Sequence, residues 1–122
     1  MFLGNENAFY INAATRRISY YLNLLKNLNN WRIWLATKGP ILAGLGVDAT
    51  WDNAKATNGK LDVFKPNTVR GGHAVCIVGY TKDNRFIIRN SWGTGWGHNG
   101  FGYATEAYIN AGFYNESYGA VL

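Results

Sequence analysis

The sequence predicts an α+β fold: an antiparallel sheet or partial barrel with one packed helix. Three observations predict it. Only one stretch carries helical periodicity, with Trp31, Trp34 and Leu35 at i, i+3 and i+4. Five short runs rich in β-branched and aromatic residues, at 18–24, 41–47, 73–80, 85–90 and 100–104, read as strands. Turn residues stand between them, as in Thr81-Lys82-Asp83-Asn84.

Taken in order, residues 1–17 are mixed and Asn-rich and read as a lead-in or linker, leaving 18–122 as one domain. The run ISYYLNL (18–24) is the first strand. Asn29 or Asn30 is expected to cap a helix running to about Lys38, with its Trp pair packed into the core. Gly39-Pro40 ends that helix, and ILAGLGV (41–47) follows as a buried strand. Residues 48–70 contain Asn58-Gly59 and Pro66 and little periodicity. They read as a long connection with one short helical turn, Trp51 packing beneath it; such loops are often functional. The strands 73–80 and 85–90 form a hairpin about 81–84. Residues 104–122 read as a loop and a closing strand.

Composition bounds the function. With 122 residues, 48% hydrophobic, 16% aromatic and five Trp, the chain can bury a core. No apolar run approaches the ~18 residues that span a bilayer, so a membrane partner is not expected. The start, MFLGNENAFY, lacks the basic and apolar regions of a secretory leader, which leaves the compartment open. Twelve basic against seven acidic residues give a net charge of +5, but the basic side chains are scattered and no nucleic-acid partner is expected. One cysteine allows neither an intrachain disulfide nor a multi-Cys metal site, and no metal or cofactor is expected.

The stretch GGHAVCIVGY (71–80) sets His73 three residues before that single cysteine, Cys76. A strand alternates its faces, so an odd offset sends the two side chains apart. Cys76 lies among Val75, Ile77 and Val78, where a thiol behaves as a small hydrophobe with a raised pKa and not as a nucleophile. A different partner suits His73. The hairpin brings it towards Asn90 at the end of the next strand, just before Ser91-Trp92-Gly93. An amide oxygen accepting from one imidazole nitrogen fixes the tautomer and leaves the other nitrogen for proton transfer. A neighbouring Trp can keep water from that bond. His98, in Gly97-His98-Asn99-Gly100, reads as an exposed turn residue.

These residues resemble a known family. GGHAVCIVGY followed by FIIRNSWGTGWGHNGFGY (86–103) is similar to the His- and Asn-bearing half of the papain-like cysteine peptidases. The resemblance runs from about residue 18 to 105 and includes Gly39-Pro40-Ile41. Asn90-Ser91-Trp92-Gly93 separates it from the double-glycine peptidases, whose pattern runs to Asp-Pro. By position, the resemblance implies His73 as general base, Asn90 as its orienting residue, Trp92 as the indole covering their contact, and Trp96 as an aromatic lining the primed side of the cleft. It implies that the Gly72 carbonyl accepts a substrate N–H. It also implies that Gly44, Gly71 and Ala74 line a roomy S2 pocket suited to bulky P2 side chains. Nothing in residues 1–37 resembles the family's Gln…Cys-Trp stretch.

The expected function is therefore the C-terminal, β-rich half of a papain-like thiol peptidase, acting on peptide or protein substrates and catalytically incomplete alone. Its expected partner is a nucleophile-bearing half, or a second copy of the chain covering the cleft wall. The alternative is a non-catalytic peptide- or protein-binding module that keeps the half-fold.

Overall fold

The computed structural model describes residues 20–121. The expected lead-in at 1–17, and the first two residues of the first predicted strand, lie outside the described residues. The first strand, β1, runs Tyr20–Asn23. Helix α1 (Leu28–Thr37) follows, then β2 (Ile41–Gly46) and the short helix α2 (Ala49–Asp52). A two-residue strand β3 (Lys60–Leu61) and a 3-10 turn (Pro66–Thr68) complete the long connection. Strands β4 (Gly72–Tyr80), β5 (Phe86–Arg89) and β6 (Phe101–Ala104) come next. Helix α3 (Glu106–Gly112) and strand β7 (Phe113–Val121) close the order.

The strands form one sheet in the order β1-β7-β2-β4-β5-β6-β3. Every pairing is antiparallel except β3 with β6, so the sheet is mixed, and it is open, not a closed barrel. The fold is α+β, as the sequence predicts, with β3 as an added edge strand.

One side of the sheet holds the core. On β2 and β4 the alternating residues Ile41, Ala43, Leu45, Val75 and Ile77 are all at most 3% exposed. Helix α1 packs onto this side with Trp31 fully buried and Trp34 nearly so, the face predicted from the spacing. Trp31 meets Phe86 edge-on at 5.6 Å and donates its indole N–H to the Leu25 carbonyl at 3.1 Å. Burying one such indole removes about 200 Å² from water, worth ~5 kcal/mol at most. Trp34 lies so close to β7 that a Cβ on Gly119 would come within 2.1 Å of its ring. Glycine is the residue that lets the helix approach there.

Two expectations need correction. The cap of α1 is Asn27, whose side chain accepts from the Asn30 N–H at 3.1 Å; Asn29 and Asn30 lie inside the helix. The cap must sit three residues before the N–H it satisfies, and Asn30 is that donor. The region 104–122 contains helix α3 before its closing strand. Thr105 caps it by accepting from the Tyr108 N–H at 3.1 Å, with Glu106 in the first turn. Seven residues are too few to display a helical period, but the Thr105-Glu106 start is a legible cap signal.

The long connection is tied down by one buried carboxylate. Asp48 is fully buried and accepts from the Lys65 backbone N–H at 2.6 Å, from the Thr50 hydroxyl at 3.0 Å and from the Tyr108 hydroxyl. These bonds join the end of β2, the far side of the loop and α3 at one point. An ionised carboxylate is tolerated in a core only when it is paired or hydrogen-bonded in this way.

Candidate active site

The site begins with a defect in the hairpin. Tyr80 faces Phe86 and Gly79 faces Ile87, but Ile77 faces Ile88, so Val78 is an extra residue on β4. An unbroken ladder from Tyr80 and Phe86 would set Asn90 opposite Cys76. The bulge shifts the register by one: Cys76 faces Arg89, and its continuation sets Val75 opposite Asn90 and His73 opposite Trp92. Opposed residues share a face, so the bulge moves Asn90 and Trp92 to the face of His73.

Asn90 follows β5 directly and is 8% exposed. Its Oδ1 lies 2.9 Å from His73 Nε2 and accepts the Ser91 backbone N–H at 2.8 Å. The second bond fixes the amide orientation, because a backbone N–H can only donate. The atom facing the imidazole is therefore an acceptor, and His73 Nε2 carries the proton. Neutral His73 then presents the Nδ1 lone pair. The residue-pair geometry anticipated from the hairpin is present, by a register the simple hairpin does not supply.

Two indoles enclose the imidazole. Trp92 stacks on its face, with centroids 5.2 Å apart and planes 25° from parallel. Trp51 meets it edge-on at 6.1 Å. Trp92 is 42% exposed and forms the outer wall, while Trp51 is fully buried and forms the floor. Excluding water from the Nε2–Oδ1 bond strengthens it. Trp96 lies a layer lower. It is 9% exposed, stacks on Trp51 at 5.2 Å and donates its indole N–H to the Trp51 carbonyl at 2.8 Å. It meets Trp92 edge-on at 5.9 Å and has no ring contact with His73. Gly97 makes the turn beyond it: φ is +57°, and a Cβ there would lie 2.3 Å from the Phe101 carbonyl oxygen.

Cys76 stands apart from this cluster. Between residues 73 and 77 the strand alternates regularly, so the thiol is on the opposite face from His73. It is half-buried, and burial pushes its pKa up against the opposing influence of Arg89. His98 is exposed and pairs through Nδ1 with the Tyr103 hydroxyl at 2.9 Å, away from the imidazole of His73.

Two of the three small residues assigned to a substrate pocket are neighbours, and Gly71 lies beside Val47 instead. Gly44 on β2 pairs directly with Ala74 on β4, and Gly71 precedes β4 with φ +146°. The ring of Tyr114 lies against Gly72, where an added Cβ would come within 2.7 Å of it. On the imidazole side, Val47, Arg70, Gly71, Gly72, His73 and Trp92 line an open depression of about 360 Å³. Arg70 reaches Asp52 at 3.0 Å and lies 5.9 Å from the Trp92 ring centre. Sequence reasoning missed Trp51 as part of the site, since it placed that indole only beneath the loop. It also missed Arg70, whose signal was its position three residues before His73.

The arrangement can accept a proton at Nδ1, hold the resulting imidazolium, and return the proton to a leaving group. It offers no thiolate of its own on that face. Comparison with known proteins gives these features a context. The family described as papain family cysteine protease matches residues 5–120. Cathepsin J of Mus musculus is 36% identical over 97 residues, covering 72% of this chain and 28% of its own length. Macrodontain-1 of Ananas macrodontes is 33% identical over 99 residues, covering 80% of this chain and 44% of its own length. Among solved structures, xylellain, a cysteine protease from Xylella fastidiosa, superposes with a TM-score of 0.70 at 26% identity. That match covers 86% of this chain and 41% of the xylellain chain. The chain thus spans less than half the length of each of these relatives. With a match across nearly its whole length, a shared fold and a histidine–asparagine pair built into it, this chain belongs to the papain family of cysteine proteases.

Proposed function

We propose that this chain supplies the base-bearing wall of a thiol peptidase site, completed by a nucleophile outside these 122 residues. The single observation that carries the reading is the His73–Asn90 contact, with the amide oriented so that Nδ1 is left to the substrate side. In the proposed reaction, an external thiol loses its proton to His73 Nδ1, and the thiolate forms a bond to the scissile carbonyl carbon. The imidazolium then returns the proton to the departing amine as the C–N bond breaks. Water gives a proton to the same nitrogen and attacks the thioester, releasing the acid and regenerating the thiol. Asn90 and Trp92 act as positioning residues. The Gly72 carbonyl holds a substrate N–H, and Gly44, Gly71 and Ala74, bordered by Tyr114, receive a bulky P2 side chain.

Alone, the chain is expected to be inactive. An oriented histidine offers roughly 10²–10⁴-fold general-base assistance, and covalent acyl transfer cannot proceed without the nucleophile. The raised pKa and opposite face of Cys76 support the same expectation. They also favour the second reading, a peptide-binding module, wherever no thiol partner is supplied.

The test compares turnover of a fluorogenic peptide by the chain alone and by the chain mixed with a polypeptide bearing a Gln…Cys-Trp segment. Activity only in the mixture, lost with His73→Ala, is the expected result. Turnover by the chain alone, blocked by alkylation of Cys76, would overturn it. So would activity in the mixture that survives His73→Ala.

A further inference from the structure

We propose that the depression beside His73 binds an acidic side chain, with Arg70 as its cationic partner, so that the peptidase favours Asp or Glu next to the bond cut. This rests on the proposed peptidase reading for its place in catalysis, though the carboxylate site itself does not need the thiol.

Several observations converge on Arg70. The depression of about 360 Å³ is at the small end of ligand pockets, suited to one or two residues of a peptide. Of its six lining residues, Arg70 alone carries a permanent charge, and no carboxylate lines it. Asp52 pairs with the guanidinium through Nη2 at 3.0 Å, and the Trp92 ring lies 5.9 Å from its central carbon. That indole is the one stacked on the imidazole. The cation thereby borders the indole that covers the imidazole.

The ion pair with Asp52 leaves the guanidinium room to bind again. The fork has five N–H donors, and among the described residues the contact to Asp52 engages it through one nitrogen. Both partners are more than half exposed, at 56% and 54%, so the pair is screened and contributes little by itself. An incoming carboxylate can take the free edge in a two-point contact while Asp52 keeps its place. A neutral isostere such as Gln offers one acceptor oxygen in place of two and brings no charge. A Lys side chain meets repulsion instead.

Binding is measured on the 122-residue chain with N-acetyl-glutamate methylamide and its glutamine and lysine counterparts, read by NMR at the His73 and Trp92 side chains. The glutamate compound is expected to bind roughly fivefold tighter than the glutamine compound, and the lysine compound weakest. The preference should vanish in Arg70→Met, shrink in Arg70→Lys, and fade at about 0.5 M salt. Equal affinities in the unaltered chain, a preference that survives Arg70→Met, or no perturbation of either side chain would each overturn the proposal. If Arg70→Met does not fold, Arg70→Lys and the salt series decide. The two readings fail separately in the reconstituted mixture. Turnover that ignores Glu against Gln sinks the carboxylate site and keeps the peptidase. Charge-selective binding without any turnover does the reverse.

Discussion

Asn90 shows how one oxygen can settle the protonation of a histidine. It accepts from the Ser91 backbone, which cannot be reversed, and so must also accept from His73 Nε2. Replacing Asn90 with Ala removes that acceptor and the tautomer preference it enforces, a loss of about 1–1.5 kcal/mol. Imidazole ¹⁵N shifts should report an Nε2–H tautomer in the unaltered chain and a mixture in Asn90→Ala. An unchanged spectrum would contradict the assigned orientation. The histidine, the asparagine and the covering Trp92 were legible in sequence, because a local motif carries them. Trp51 was not. Its contacts with His73 and Trp96 span 22 and 45 positions and leave no trace in local pattern.

At the scale of elements, the long connection between β2 and β4 is tied down at one buried carboxylate. Asp48 joins Lys65, Thr50 and Tyr108, and the helix that starts just after it carries Trp51 beneath the imidazole. Asp48→Ala leaves the buried Tyr108 hydroxyl and the partly buried Lys65 N–H without their acceptor. It should cost about 3 kcal/mol, seen as a lowered denaturant midpoint. A change below about 0.5 kcal/mol would show that the loop is held by other contacts. The predicted elements were largely right in kind because periodicity 2 and turn chemistry belong to short segments. Helix α3 escaped, being only about two turns long, with a burial that depends on the sheet. The Val78 bulge escaped too, since alternation along 73–80 says nothing about which strand carries an extra residue.

At the scale of the whole molecule, two acids of the neutral type, the half-buried Cys76 and the buried Tyr108, link stability to alkaline pH. Burial raises the pKa of Cys76, and burial followed by the hydrogen bond and charge of Asp48 raises that of Tyr108. Each folded group keeps its proton more tightly than the unfolded chain does. As pH climbs past their ordinary values of 9.0 and 10.0, the unfolded state binds fewer protons than the folded state. Their contribution to stability is therefore complete below about pH 9 and is lost as the pH rises above it. Thermal melts from pH 8 to 11 should show that decline, with a shallower slope in Cys76→Ala and in Tyr108→Phe. A slope unchanged in both would refute the linkage.

The sequence by itself determined the α+β class, the buried face of α1, the strand on which His73 and Cys76 part, and the family motif around Asn90. Each depends on residues within a few positions of one another, where backbone geometry dictates which side chains share a face. Three-dimensional packing alone revealed the Val78 bulge that carries Asn90 and Trp92 to the face of His73, the place of Trp51 as the floor of the site, and Arg70 at its border. Those outcomes depend on a one-residue shift in register and on contacts between distant segments. Chain connectivity permits them, but only the packing of one element on another selects them.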